Sequence, residues 1–164
     1  MAAGSTYTSI ATTTLGSATA SVTFNSFSGY TDLVLVANQG NDQNADYDVY
    51  VRFNSDSGTN YSRTQLVGNG TSASSSRSSN NTEFRMGPSL NNTPTSMLTL
   101  NLMNYSNSTT FKTTLLRSGQ ASGYTTAAVG LWRSTAAITS IVLSLQTGNF
   151  VAGSTFTLYG ILSA

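Results

Sequence analysis

The stretch that decides the fold reads Asp46-Tyr47-Asp48-Val49-Tyr50-Val51-Arg52-Phe53. In an extended strand Val49, Val51 and Phe53 share one face, while Asp48 and Arg52 lie on the other. Residues 96–103 and 138–145 alternate in the same way, and no stretch of a dozen residues keeps apolar positions at helical spacing. The sequence therefore predicts an all-β chain.

The same pattern places strands at several points along the chain. They are residues 6–13, 18–24, 32–38, 46–53, 62–67, 82–86, 96–103, 110–117, 124–132, 138–145 and 154–161. Many short, evenly spaced strands are typical of an antiparallel β-sandwich, and we expect one that is jelly-roll-like. Residues 33–37 are apolar on both faces, which indicates a strand in the centre of a two-sheet stack or one covered by a neighbouring subunit.

The length and charge of the chain indicate how many domains it has and which kinds of partner it can bind. A chain of 164 residues suits one domain, here residues 1–164, with a flexible Ser/Asn-rich loop at about 69–81. Only 8% of residues are charged and the net charge is +1, so we expect no nucleic-acid partner. No run approaches the roughly 20 apolar residues of a membrane span, so we expect no membrane partner. Near-zero net charge favours association with other protein surfaces.

The chain lacks the side chains that carry most acid–base and nucleophilic chemistry. It has no His, no Cys and one Lys, and no phosphate-binding or dinucleotide motif, so we expect neither an enzyme nor a cofactor. Two stretches rich in oxygen-bearing side chains, residues 42–48 and 54–58, could collect calcium, although their spacing is not that of an EF-hand. Alternatively, Asp42 and Asn44 shape a turn and Asp48 lies on a solvated strand face. A glycosidase using Asp46, Asp48 or Asp56 is a further alternative.

Three aromatic residues are candidates for binding. Tyr61, Tyr105 and Trp132 lie at predicted strand edges or beside turns, where rings can stack on sugars or anchor a protein interface. Aromatic rings at strand ends also cap β-cores, with a Tyr hydroxyl reaching water. The sequence leaves both interpretations open.

Several segments together resemble a family of small structural proteins of tailed bacteriophages. The most specific part is Phe156-Thr157-Leu158-Tyr159-Gly160-Ile161 at the end of residues 153–161. The other parts of the resemblance are residues 30–36, 51–62, 104–106, 137–141 and 148–150. The resemblance spans nearly the whole chain and carries no motif for catalysis.

The resemblance implies a β-rich module displayed on the outer surface of the phage particle. We expect a decoration or cement protein on the head that stabilises the shell, with the major capsid protein and other copies of itself as partners. Closed symmetry favours a homo-oligomer, for which we expect a trimer. The alternative is a receptor-binding module of a tail fibre or head fibre that recognises host surface carbohydrate through Tyr61, Tyr105 and Trp132.

Overall fold

The computed structural model describes residues 6–43, 45–89 and 93–162, with residues 88 and 89 described by their backbone. These ranges contain twelve strands, all paired in antiparallel fashion. The strands are β1 (Tyr7–Thr14), β2 (Ser21–Asn25), β3 (Asp32–Gln39), β4 (Tyr47–Phe53), β5 (Tyr61–Gly68), β6 (Ala73–Asn81), β7 (Phe84–Ser89), β8 (Ser96–Leu102), β9 (Lys112–Gly119), β10 (Thr125–Trp132), β11 (Ser140–Leu145) and β12 (Thr155–Ile161).

The strands form two sheets around one hydrophobic core. The larger sheet has eight strands in the order β1-β12-β3-β8-β9-β10-β5-β6, and the smaller has four in the order β2-β11-β4-β7. Side chains from both sheets contribute to the core. The prediction of an all-β antiparallel sandwich is confirmed.

Alternation along the strands places the core side chains as the sequence predicts. In β4, Val49, Val51 and Phe53 are fully buried, and the leucines of β8 are buried likewise. The Phe53 ring contacts the rings of Tyr61 and Trp132, with centroids 6.3 Å and 5.6 Å away. This aromatic cluster joins the smaller sheet, through β4, to β5 and β10 of the larger one.

The region expected to be a flexible loop, residues 69–81, is instead a turn followed by strand β6. The side chain of Asn69 accepts hydrogen bonds from the backbone N–H groups of Thr71 and Ser72, at 3.1 Å and 2.8 Å, and so closes the turn. Residues of β6 then pair with β5, for example Ser76 with Gln65. The serine side chains have little apolar surface to bury, but pairing with β5 provides hydrogen-bond partners for the backbone groups of β6 that face it.

The apolar run at residues 33–37 belongs to β3, an interior strand of the larger sheet between β12 and β8. Leu33, Leu35 and Ala37 enter the core. Val34 points to the opposite face, where it pairs with Tyr159 and Asn101 and is only 5% exposed. Val36, the second outward residue of the run, is partly exposed, so neighbouring strands shield the outward face of this run only in part.

Candidate functional site

The three predicted sugar-binding residues lie in the core. Tyr61 is 0% exposed, Trp132 is 2% exposed and Tyr105 is 3% exposed. The rings of Tyr61 and Trp132 are stacked with centroids 6.4 Å apart, whereas Tyr105 packs edge-on against Phe27. Because no ring presents a free face to solvent, the prediction of a sugar platform is corrected, and these residues stabilise the sandwich.

Asp56 anchors the buried indole of Trp132. Its carboxylate accepts a hydrogen bond of 2.7 Å from Nε1 of Trp132, one of 2.9 Å from Nδ2 of Asn60 and one of 2.8 Å from the backbone N–H of Gly58. Burial raises the pKa of Asp56, but the hydrogen bonds from Trp132, Asn60 and Gly58 outweigh it, so that the pKa is lowered overall. This carboxylate therefore serves the core and the turn before β5.

The other acidic candidates are also held by separate partners. Asp48 forms an ion pair of 2.9 Å with Arg85, and Asp46 accepts a hydrogen bond of 3.2 Å from the hydroxyl of Tyr124. Asp42 accepts two hydrogen bonds from Asn149. In the described ranges no three acidic side chains converge as a cation site would require, and Asn44 lies outside those ranges.

The one lysine of the chain is buried beside the same core. Lys112 is 1% exposed, and its Nζ donates hydrogen bonds of 2.8 Å and 3.1 Å to the carbonyl oxygens of Thr110 and Thr135. Burial lowers the pKa of this amine. The amine thus ties the start of β9 to the loop that follows β10.

The most distinctive surface is the face of the eight-stranded sheet opposite the core, here called the outer face. Among the described residues, eight large hydrophobic side chains are about half exposed or more. Five of them point from the outer face: Tyr7, Leu66, Met97, Leu115 and Val129. A sandwich sheet that faces only water normally carries polar residues at such positions.

Strand register brings the central members of this group together. Leu115 of β9 lies directly opposite Val129 of β10, and Ala127 of β10 lies opposite Leu66 of β5. Leu66 is 64% exposed, and Leu115 and Val129 are each 48% exposed. Side chains opposite each other in an antiparallel pair are about 5 Å apart, so these residues form one continuous apolar patch.

The apolar patch lines a depression of about 440 Å³ in the outer face. Arg117 contributes to this depression and to a neighbouring one of about 670 Å³ that also includes Met97 and Tyr124. On the outward positions of β5, β6, β8, β9 and β10 the charged residues are Arg77 and Arg117, with no carboxylate among them. The surface therefore suits a partner with apolar groups and hydrogen-bond acceptors.

Sequence reasoning missed this surface, although a signal was present. Leu115 and Leu116 are adjacent, so one of them must leave the core whichever face β9 buries. The structure buries Leu116 and exposes Leu115. β10 likewise carries apolar side chains on both faces, because Val129 points outward in a strand whose Trp132 enters the core.

No protein-family model matches this chain, and no curated protein matches it. In the described ranges no helix is long and apolar enough to cross a membrane.

Proposed function

We propose that the protein is a structural component of a tailed-bacteriophage virion, a decoration or cement protein that binds the outer head surface and stabilises the shell. It acts by binding and not by catalysis, and its partners are the major capsid protein and other copies of itself. The observation that carries the proposal is the exposed apolar patch of Leu66, Leu115 and Val129. Contiguous exposed apolar surface of this kind marks sites of protein association.

The strand order supports the proposal. Without β5, β6, β9 and β10, the two sheets read β1-β12-β3-β8 and β2-β11-β4-β7. In these eight strands the first pairs with the last, the second with the seventh, the third with the sixth and the fourth with the fifth. We infer that they follow the order of a jelly roll, an architecture used by viral capsid proteins.

The apolar patch lies on the strands that the inferred jelly roll does not need. Leu66 belongs to the β5–β6 hairpin, and Leu115 and Val129 belong to the β9–β10 hairpin. These hairpins widen one sheet from four strands to eight. One side of these strands contributes Tyr61, Leu116 and Trp132 to the core, and the other side adds exposed apolar surface, as a binding role would require.

Stabilisation of a shell follows from mass action. A protein that binds the assembled shell but not its free subunits shifts the equilibrium toward the shell, by about 2.7 kcal/mol per site at a concentration of 100 Kd. Repeated sites on a symmetric shell multiply this effect. The decorated head should therefore melt at a higher temperature than the bare head.

The test is the binding of purified protein to phage heads that lack it, followed by calorimetry of the heads. We expect saturable binding at repeated sites and a rise in the melting temperature of the heads. Leu115→Lys should weaken binding at least about tenfold, because it places a hydrated charge in the patch. The matched control is Thr23→Lys, which adds the same charge to an exposed position on β2 of the smaller sheet and should bind normally.

Two results would contradict the proposal. Heads whose binding and melting temperature are unaffected by saturating protein would exclude a decoration role. Equal binding by Leu115→Lys and Thr23→Lys would show that heads are bound through a different surface.

A further inference from the structure

The edge of strand β6 offers a second interaction surface, separate from the outer face. β6 (Ala73–Asn81) is the terminal strand of the eight-stranded sheet and pairs with β5 on one side only. About half of its backbone N–H and C=O groups therefore point away from the sheet, at the spacing that another strand needs. Residues 73–77 are all exposed.

The other three sheet edges carry features that hinder strand addition, whereas the register shift of β6 is confined to its last residues, between Ser78 and Asn81. β1 has a bulge between Ser9 and Ala11, β2 is only five residues long, and β7 contains Pro88 and a register shift. Short strands, bulges and proline are the usual means of blocking an edge. β6 is nine residues long, contains no proline, and keeps regular register with β5 from Ala73 to Ser78.

We propose that the free edge of β6 pairs in antiparallel fashion with β6 of a second copy of this chain, joining two eight-stranded sheets into one and giving a dimer in place of the trimer expected from the sequence. Two copies of one strand related by a two-fold axis present identical rows of backbone groups, so each unpaired donor finds an acceptor on the other copy. The side chains at the junction are mainly serines, which are small enough for close approach.

Charge permits this pairing and restricts its register. Arg77 is the one charged residue of β6, and the net charge of the whole chain is only +1. Direct opposition of the two Arg77 side chains would be unfavourable. A register centred on Ser75 instead places Arg77 opposite Ala73 of the second copy, so the repulsion is avoided.

The area of the contact sets the strength that we expect. A nine-residue strand is about 30 Å long, and small side chains add little to the surface buried along it. Such a contact falls below the 1,200–2,000 Å² or so of a standard interface. We therefore expect a weak dimer, with a Kd between about 10 µM and 1 mM.

The pairing also matters for the outer face, and this step depends on the proposed function. A two-fold axis perpendicular to the sheet keeps both outer faces on the same side. Leu66 lies opposite Ser75 of β6, so the apolar patch of each copy begins one strand from the junction. The dimer would present two patches side by side to a repetitive partner surface, which raises the effective concentration of the second contact.

The test uses the purified full chain alone. Light scattering between about 5 µM and 1 mM should show an average mass that rises with concentration from nearer one copy toward two. Hydrogen exchange at the two concentrations should show slower exchange of backbone amides in residues 73–81 in the dimer. A mass of one copy throughout, a mass of three copies, or a dimer with unchanged exchange in these residues would overturn the proposal.

Two adjacent proline substitutions serve as variant and matched control. Backbone N–H groups of successive residues in β6 point alternately to β5 and to the free edge, so Ser75→Pro and Ser76→Pro remove one donor of each kind. The variant that loses an N–H group pointing to the free edge should lose dimerisation and keep its melting temperature. The variant that loses an N–H group pointing to β5 should melt at a lower temperature. Dimerisation retained by both would contradict the pairing. Because no phage head is used, failure here is distinguishable from failure of the head-binding proposal.

Discussion

Replacement of Asp56 by alanine tests the carboxylate that anchors the buried indole of Trp132. The Asp56 carboxylate accepts hydrogen bonds from Trp132, Asn60 and Gly58. Trp132 is only 2% exposed, so its indole N–H is a buried donor that loses its charged acceptor when the carboxylate is removed. Gly58 is exposed and Asn60 is partly exposed, so their N–H groups can be rehydrated.

The expected cost of Asp56→Ala follows from this difference. A hydrogen bond to a charged group contributes about 1.5–3 kcal/mol, and a buried donor left unpaired costs about 1–3 kcal/mol. Since these ranges describe the same lost interaction at Trp132, they are not added. We expect the free energy of unfolding to fall by about 2–3 kcal/mol at pH 7, with little further loss from Gly58 and Asn60.

Urea unfolding followed by the fluorescence of Trp132 measures this loss. The matched control is Asp46→Ala, whose exposed carboxylate has a hydrogen bond to Tyr124 and whose removal should cost less than about 0.5 kcal/mol. Because the pKa of Asp56 is lowered in the folded state, its contribution is present above the unfolded pKa of 3.8 and is lost as the pH falls through the folded pKa. The difference between wild type and Asp56→Ala should therefore shrink at pH 3. Equal costs for the two variants at pH 7 would refute the anchoring role.

Two further predictions concern the core. Burial raises the pKa of Tyr61 from 10.0 to about 12. The contribution of Tyr61 to stability should therefore be intact below pH 10, and the free energy of unfolding should fall by up to about 2–3 kcal/mol as the pH rises to 12. In Tyr61→Phe, the urea midpoints at pH 8 and pH 11.5 should differ less than in wild type, and an equal difference would contradict this assignment. Gly130→Ala would press a methyl group against the ring of Phe84 and should lower the free energy of unfolding by about 1–3 kcal/mol, measured by thermal unfolding. The control is Gly16→Ala, whose added methyl group meets nothing within 4 Å. Similar melting temperatures for the two variants would count against tight packing at Gly130.

The fold could be predicted where one face of a strand is buried and the other is wet. Residues 46–53 show this alternation, and β4 buries Val49, Val51 and Phe53 as expected. β6 was missed because both of its faces are exposed and its serines carry no periodicity. Its strand conformation comes from pairing with β5, a contact between segments that no local pattern records.

The candidate site was harder to predict because exposure depends on how strands are arranged. Tyr61 and Trp132 look like binding residues when their positions at strand ends are considered alone. They are buried because Trp132 of β10 lies opposite Tyr61 of β5 and both pack against Phe53 of the other sheet. Leu115 is exposed for the converse reason, since no second sheet covers the outer face of β9.

The central claim is that the outer face is the surface through which the protein assembles. The most direct measurement is cryo-electron microscopy of phage heads that lack the protein, incubated with wild type or with Leu115→Lys. We expect ordered density at repeated shell positions for wild type, with Leu66, Leu115 and Val129 against the capsid or a neighbouring copy, and bare shells for Leu115→Lys. Bound protein whose outer face points to solvent, with the same density for both proteins, would contradict the claim.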